Sequence, residues 1–376
     1  MQFSCQSQVF QKAVGIVDKA VPTKTSMPVL ENIYIQLQDG SLQLVGNDLE
    51  IGIKNSMPIQ DFGANATVLV KSKILLSILS KLQNQTMTIQ VNDKNQMSIK
   101  SDTVDFEILC SPIEGYPEFP MMTEGTRFSL KVSELKDFIK HTLFSVSLDE
   151  TKQFLNGILL KNEADSLFFV STDGYRLALK KQSISSLSKD FYSIVPYKAM
   201  NELNKILPTF DGDKTVEVVI SDTQISFGLD SFFMVSRLIE GRFPDYNQVL
   251  PKQTVNHFTL NRRTCLEACE RASIIASSSN NIVRFVLNDT DVVIRANSIG
   301  LGEFQEGCPI VRSSGEGEIR IAFDVKLVIE ALKNMEADDF LLRCNEGVTP
   351  VIFEPVSEGD YMYVIMPIRA NEFQAS

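Results

Sequence analysis

One apolar pattern recurs three times in this chain at a fixed step of 125 residues, and that repeat constrains the fold more than any single motif. Asn47-Asp48-Leu49 follows the strand-like run Leu42-Gln43-Leu44-Val45. Thr172-Asp173-Gly174 follows Leu167-Phe168-Phe169-Val170, and Asn297-Ser298-Ile299 follows Val292-Val293-Ile294-Arg295. Upstream of each lies a second apolar run: Ile33-Tyr34-Ile35, Ile158-Leu159-Leu160 and Val283-Arg284-Phe285. A further marker recurs once, as Ile113-Glu114-Gly115-Tyr116-Pro117 and Ile239-Glu240-Gly241-Arg242-Phe243-Pro244, whose Gly and Pro end the preceding strands and read as linkers. Three tandem similar domains follow, over residues 1–125, 126–252 and 253–376, and they nearly exhaust the 376 residues.

Each repeat halves again. Apolar residues at i, i+3, i+4 and i+7 predict helices over Gln8–Lys19, Lys71–Lys81, Lys131–Thr142, Tyr197–Lys205, Arg262–Arg271 and Asp324–Lys333. Ser133 and Asn261 are placed to cap two of them, their side chains accepting from exposed first-turn amides. Short alternating runs such as Met87-Thr88-Ile89-Gln90-Val91 and Val216-Glu217-Val218-Val219-Ile220 lie between helices, separated by turns such as Asp211-Gly212-Asp213. The unit is therefore one helix plus several antiparallel strands, used six times: an α+β plan with helices on one face of the sheets.

Composition narrows the function. No window approaches the ~18 uninterrupted apolar residues of a membrane helix. The start, Met1-Gln2-Phe3-Ser4-Cys5-Gln6, lacks a basic segment leading into an apolar one, so no signal peptide is expected and a cytoplasmic location is. Six scattered cysteines without a C-x-x-C pair read as free thiols in a reducing compartment. Cys265 and Cys269 share a helical face, but with only His141 and His257 in the chain nothing completes a metal site, and neither metal nor cofactor is expected. There is no G-x-x-x-x-G-K-[ST] loop and no G-x-S-x-G turn. Ser133-Glu134-Leu135-Lys136 matches S-x-x-K but reads as a helix start, and Asp211/Asp213 and Asp289/Asp291 read as turns. No catalytic constellation is present, and no enzyme activity is expected.

Charge is unevenly spread. The chain holds 36 Lys+Arg against 47 Asp+Glu, a net charge of −11, yet the six helical segments together carry 15 basic and 8 acidic residues. Lys71, Lys73 and Lys81, with no acid between them, are the clearest case. Helices turned inward along an arc would make a basic concave wall inside an acidic shell, suited to a polyanion met at its phosphates without base readout. Two arcs joined head to tail would close as a ring with a two-fold axis. The competing reading is a monomeric repeat scaffold that encircles nothing.

The segments Phe154-Leu155-Asn156-Gly157, Ser171-Thr172-Asp173-Gly174-Tyr175-Arg176-Leu177-Ala178, Gly241-Arg242-Phe243-Pro244-Asp245-Tyr246, Val249-Leu250-Pro251 and Tyr363-Val364-Ile365-Met366-Pro367-Ile368-Arg369 carry a resemblance. In their order and spacing the chain resembles the bacterial DNA polymerase III β subunit family, the sliding clamps, along essentially its whole length. The resemblance implies a DNA-clamp fold: antiparallel sheets outside, two helices per domain lining a central pore, and a closed ring made by a head-to-tail homodimer. It implies a processivity factor without catalysis that encircles double-stranded DNA irrespective of sequence and tethers the replicative DNA polymerase α subunit. A clamp loader, other DNA polymerases, and mismatch-repair or ligase proteins carrying a clamp-binding peptide are the further partners implied. No membrane partner is.

The same resemblance implies site residues. A partner-peptide pocket between the second and third domains would involve Leu155, Thr172, Gly174, Tyr175, Arg176, Leu177, Pro244, Gln248, Val249, Val348, Pro350, Val364, Met366, Pro367, Ile368 and Arg369. Leu155, Leu177, Val249, Val364 and Met366 would receive apolar side chains, a methionine among them suiting varied clients. Many family members have His where Tyr175 stands, and often Arg where Gln248 stands. DNA-facing positions are Lys24, Gln153, Phe154 and Lys198, with the acid Asp149 near this group. At the dimer interface, Phe106 and Ile108 on an edge strand would meet Ile274 and Ile275 at a helix end. The tail Ala370–Ser376 runs past the point where many members stop.

Overall fold

Helices form where the apolar periodicity places them: α1 (Ser7–Val17), α2 (Ser72–Leu79), α3 (Val132–Thr142), α4 (Tyr197–Ile206), α5 (Arg262–Ala276) and α6 (Val325–Asn334). The computed structural model describes residues 1–376 except 61, 83, 103, 123, 185–188, 357–359 and 370–376, so the tail Ala370–Ser376 lies outside the described residues. In α1 the buried residues Phe10, Ala13, Val14 and Val17 follow one face of a 3.6-residue period, with Ser7 and Ile16 buried beside them. Each such side chain, removed from water, contributes about 1.5–3 kcal/mol when it is Val, Leu or Phe. α5 runs past the predicted Arg271 to Ala276, because Ala272 and Ala276 extend the buried row begun by Cys265, Ala268 and Cys269. Those small side chains face α6, which returns Val325, Val328, Ala331 and Leu332.

The caps divide. Asn261 caps α5, its Oδ1 accepting from Thr264 N at 3.1 Å, as its position predicts. Ser133 does not cap α3: it lies inside the first turn, its amide donating to Gly212 O at 3.0 Å. Glu134 takes the capping task instead, its carboxylate reaching back to accept from Lys131 N at 2.8 Å.

The chain divides into two compact units, residues 1–134 with 201–238, and residues 135–200 with 239–376. Among the described residues every strand pair is antiparallel. The first unit holds a four-stranded sheet, in spatial order Gln2–Gln6, Thr86–Val91, Gln96–Ser101 and Val104–Leu109. Its second sheet has eight strands: Ala66–Lys71, Asn32–Gln38, Ser41–Asn47, Ile51–Pro58, Phe232–Arg237, Gln224–Leu229, Thr215–Ile220 and Thr126–Lys131. The second unit is built on twelve strands: Phe191–Pro196, Gly157–Glu163, Ser166–Thr172, Arg176–Ser183, Tyr361–Ile365, Val351–Pro355, Asp339–Cys344, Asn256–Asn261, Gly302–Ser314, Asp291–Ser298, Ile282–Leu287 and Ile319–Asp324. Strands from the middle of the chain thus join a sheet of the first third and a sheet of the last third. Ile51–Pro58 pairs with Phe232–Arg237, and Arg176–Ser183 pairs with Tyr361–Ile365.

All six cysteines are free. Burial pushes the thiols of Cys5 and Cys344 up to about 12 and those of Cys110 and Cys308 up to about 11, so they stay protonated and unreactive. Among the described residues no helix is long and apolar enough to cross a membrane.

Candidate functional site

A strand with one wet face should alternate apolar with polar residues, and three neighbouring strands of the second unit do not. On Arg176–Ser183, Ala178 belongs to the helix-backed core with Tyr361, Tyr363, Ile365, Val351 and Phe353. The residues between them, Leu177, Leu179, Ile352 and Val364, are equally apolar and buried, and form a second cluster on the opposite face with Leu155, Leu159, Val170 and Ile194. The segment 239–250 covers this cluster with Ile239, Phe243, Tyr246 and Leu250. Backbone and side chain pin it there: Ile239 N donates to Ile194 O at 2.9 Å, and Tyr192 OH donates to Phe243 O at 3.1 Å.

The loop entering Arg176–Ser183 stands beside this cluster. Thr172 Oγ1 accepts from Gly174 N at 3.1 Å, and Asp173 Oδ1 accepts from Tyr175 N at 2.9 Å and Arg176 N at 3.1 Å. Gly174 takes φ +95°, a left-handed turn that glycine enters without a Cβ penalty. Tyr175 is left 67 % exposed, with Lys152 Nζ 6.0 Å from its ring centre. Its carbonyl accepts from Met366 N at 2.9 Å, which brings the segment after Tyr361–Ile365 against the loop. Val249 and Val348 are also exposed, while Met366, Pro367 and Pro350 are half-buried. Gln248 donates from Nε2 to Asp245 Oδ2 at 3.2 Å, and this bond, with those of Asn247, holds the Asp245 carboxyl below its ordinary range. Pro244 and Arg369 are exposed, and Ile368 N donates to Ala322 O at 2.8 Å.

Leu155, Leu177 and Val364 therefore share one buried cluster, and the 172–176 loop, segment 244–249 and segment 366–367 flank it. Arg176 differs from its neighbours. Its guanidinium is buried on the helix-backed side, donating to Asp173 Oδ2 at 2.9 Å, to Phe144 O at 2.7 Å and to Glu330, with the Phe144 ring 5.5 Å away. Burial works against its charge, and Tyr363 and Glu330 outweigh burial and hold it protonated. Beside this cluster it supplies backbone and positioning, not a free cation.

The other expected residues fall in three places. Lys24 is exposed in the loop after α1. Gln153 and Phe154 are exposed on the one-turn helix Gln153–Leu155, joined to the start of α4 by Tyr197 N donating to Asn156 O at 2.8 Å. Lys198 is exposed one residue on. Nearby, Asp149 is tied to Thr151, whose hydroxyl donates to it at 2.7 Å and lowers its carboxyl. Phe106 and Ile108 are half-buried on the open edge of the four-stranded sheet, beside Leu109 at 76 % exposure. Ile274 is 69 % exposed in the last turn of α5, and Ile275 packs against the core.

Sequence reasoning missed the floor and cover of the cluster: Phe243, Tyr246, Ile239, Ile352 and Leu179. The signal was present in Val351–Pro355 and Tyr361–Ile365, whose runs are apolar at consecutive positions although the plan gives each strand one wet face.

The chain matches the DNA polymerase III beta subunit family in all three of its parts: the N-terminal domain over residues 1–120, the central domain over 129–245 and the C-terminal domain over 247–369. The beta sliding clamp of Synechocystis sp. is 29% identical over 393 residues, covering 98% of this chain and 99% of that protein. That of Bacillus subtilis is 28% identical, covering 98% and 100%. Among solved structures, a sliding clamp from Pseudomonas aeruginosa bound to griselimycin has a TM-score of 0.93 at 25% identity, covering 98% of this chain and 100% of that one. The DNA polymerase sliding clamp from Bacillus subtilis has a TM-score of 0.91 at 27% identity, covering 98% and 99%. Fold and matches together define a three-domain DNA clamp, a class of processivity factors rather than enzymes. Within it, the chain belongs to the bacterial DNA polymerase III β subunit family and has the function of a DNA sliding clamp.

Proposed function

We propose that the protein works in the cytoplasm as a head-to-tail homodimer, a ring around double-stranded DNA that tethers the replicative polymerase α subunit, with domain boundaries near residues 125 and 252. A clamp loader would open and close it. Other DNA polymerases and mismatch-repair or ligase proteins would reach it through short peptides seated on the apolar groove beside Leu155, Leu177, Val249, Val364 and Met366. Lys24, Gln153, Phe154 and Lys198 would face the DNA, meeting phosphates without entering a groove to read bases. Weak, water-mediated contact of that kind permits sliding, and the closed topology supplies retention.

Two open strand edges carry the dimer reading. Ile51–Pro58 and Arg176–Ser183 each pair across a junction, Ile51 opposite Ser236 and Arg176 opposite Ile365. The third strand of that series, Gly302–Ser314, has no partner but Asp291–Ser298 along residues 302–308 among the described residues. The strand that matches Phe232–Arg237 in the first repeat, Val104–Leu109, pairs among the described residues only with Gln96–Ser101. One open edge at each end of the repeat series is what a second copy would join. By analogy with those two pairs, Ile108 of one protomer would lie opposite Leu301 of the other, and Phe106 opposite Glu303.

Disulfide trapping tests this. The double variant Ile108→Cys, Leu301→Cys should yield a covalently closed dimer on oxidation, and adding Ile274→Asp and Ile275→Asp should leave monomers and no cross-link. A monomer in the parent protein at micromolar concentration, or cross-linking indifferent to the two aspartates, would place the interface elsewhere.

A further inference from the structure

The first unit carries a cleft at the position that the 125-residue repeat pairs with the proposed groove of the second. Asn47–Ile51 stands where Thr172–Arg176 stands, with the same hydrogen bonds: Leu49 N donates to Asn47 Oδ1 at 2.8 Å, and Glu50 N and Ile51 N donate to Asp48 Oδ1 at 2.9 and 2.7 Å. Tyr116-Pro117-Glu118-Phe119 stands where Phe243-Pro244-Asp245-Tyr246 stands. Gly52 lies opposite Val235, as Leu177 lies opposite Val364. Between these parts opens a cleft of about 240 Å³, its apolar side formed by Leu49, Pro117, Pro120 and Val235, its polar side by Gln224 and Arg237.

Two replacements set this cleft apart. Gly52 takes the place of Leu177, and the ring of Phe119 fills the space above it so closely that a Cβ there would stand 2.9 Å from Phe119 Cε2. Leu49 takes the place of Gly174 and keeps its left-handed turn, at φ +75°, with the residue 42 % exposed. A branched apolar residue is disfavoured on both counts, and strained residues held by their surroundings gather at ligand clamps.

We infer that this cleft is a second docking site, for an extended segment of a partner protein that carries an aliphatic residue beside a lysine or arginine. The inference rests on the reading that the equivalent groove of the second unit takes peptides. The aliphatic side chain would lie against Leu49, Pro117 and Pro120. Charge selects the neighbour: Glu118 stands exposed at the cleft in a chain of net charge −11, complementary to a basic residue. The Arg237 guanidinium, exposed and without an ion pair among the described residues, would donate to the segment's carbonyl oxygens.

Fluorescence anisotropy with the full-length protein tests it, using a fluorescein-labelled hexapeptide that alternates leucine with lysine, and a second alternating leucine with glutamate. Both are measured with the unlabelled clamp-binding peptide of the replicative polymerase in saturating amount. The lysine peptide should bind at least tenfold more tightly than the glutamate peptide and should not be displaced by the polymerase peptide. Leu49→Gly, which relieves the turn and so preserves the fold, and Glu118→Gln should each weaken it at least fivefold. Absent binding, equal affinity of the two peptides, displacement by the polymerase peptide, or indifference to Leu49→Gly would overturn the site. Failure of the polymerase peptide to bind while the lysine peptide does would contradict the groove in the second unit and leave this cleft standing.

Discussion

The guanidinium of Arg176 sits among Asp173, Glu330, Tyr363 and the Phe144 ring, on the opposite face of the sheet from Leu177 beside it. Its effect on the groove is therefore indirect: it fixes the loop whose Tyr175 carbonyl receives Met366 N. Arg176→Ala leaves Asp173 and Glu330 without their cation, and loss of the largely buried Arg176–Asp173 pair costs about 3 kcal/mol. Client-peptide affinity should fall about tenfold while the dimer persists, measured by anisotropy and by sedimentation. Glu330→Gln, far from the groove in sequence, should move peptide affinity in the same direction. Unchanged affinity in both variants would show that the loop holds itself. The sequence marked Arg176 through resemblance but not its partners, since Glu330 is 154 positions away and only the strand–helix packing joins them. Leu155, Leu177 and Val364 were legible for the same motif reason, whereas Tyr246 and Ile352 were not, because covering a sheet's second face leaves no period of its own.

At the scale of elements, α3 is tied to the strand Arg176–Ser183 through charge. Lys180 Nζ lies 2.9 Å from Asp137 Oδ2, and His141 Nδ1 lies 2.9 Å from Asp137 Oδ1, with Lys180 and His141 both buried. Burial by itself would raise the Asp137 carboxyl, but the bonds from His141 and Lys180 prevail and hold it at about 2. A carboxylate depressed on folding stabilises fully above its unfolded value near 4, and the contribution disappears as pH falls from about 4 through about 2. Asp137→Asn should lower the urea midpoint at pH 7, and its deficit against the parent should shrink towards pH 2. A deficit constant across that range would mean that packing, not charge, carries the contact. Element starts were readable to a residue or two because apolar period and turn chemistry agree there. The end of α5 and the cap of α3 were not: Ala272 and Ala276 are weak apolar signals, and Glu134 competes with Ser133 for one helix start.

On the scale of the whole molecule, the 125-residue repeat predicts three similar α+β domains, and the described residues hold two α-helices in each third of the chain with their strand pairs antiparallel. What the repeat did not reveal is that the middle third divides its strands between two sheets, because pairing between distant strands leaves no local pattern. That division leaves one open edge at either end of the series among the described residues, and the proposed ring would close by a second copy joining there. The most direct measurement is retention on DNA after loading onto a nicked circular plasmid. The dimer should stay with circular DNA through gel filtration and be lost when one restriction cut linearises it. Loss from the circle as rapid as from the linear form would contradict encirclement.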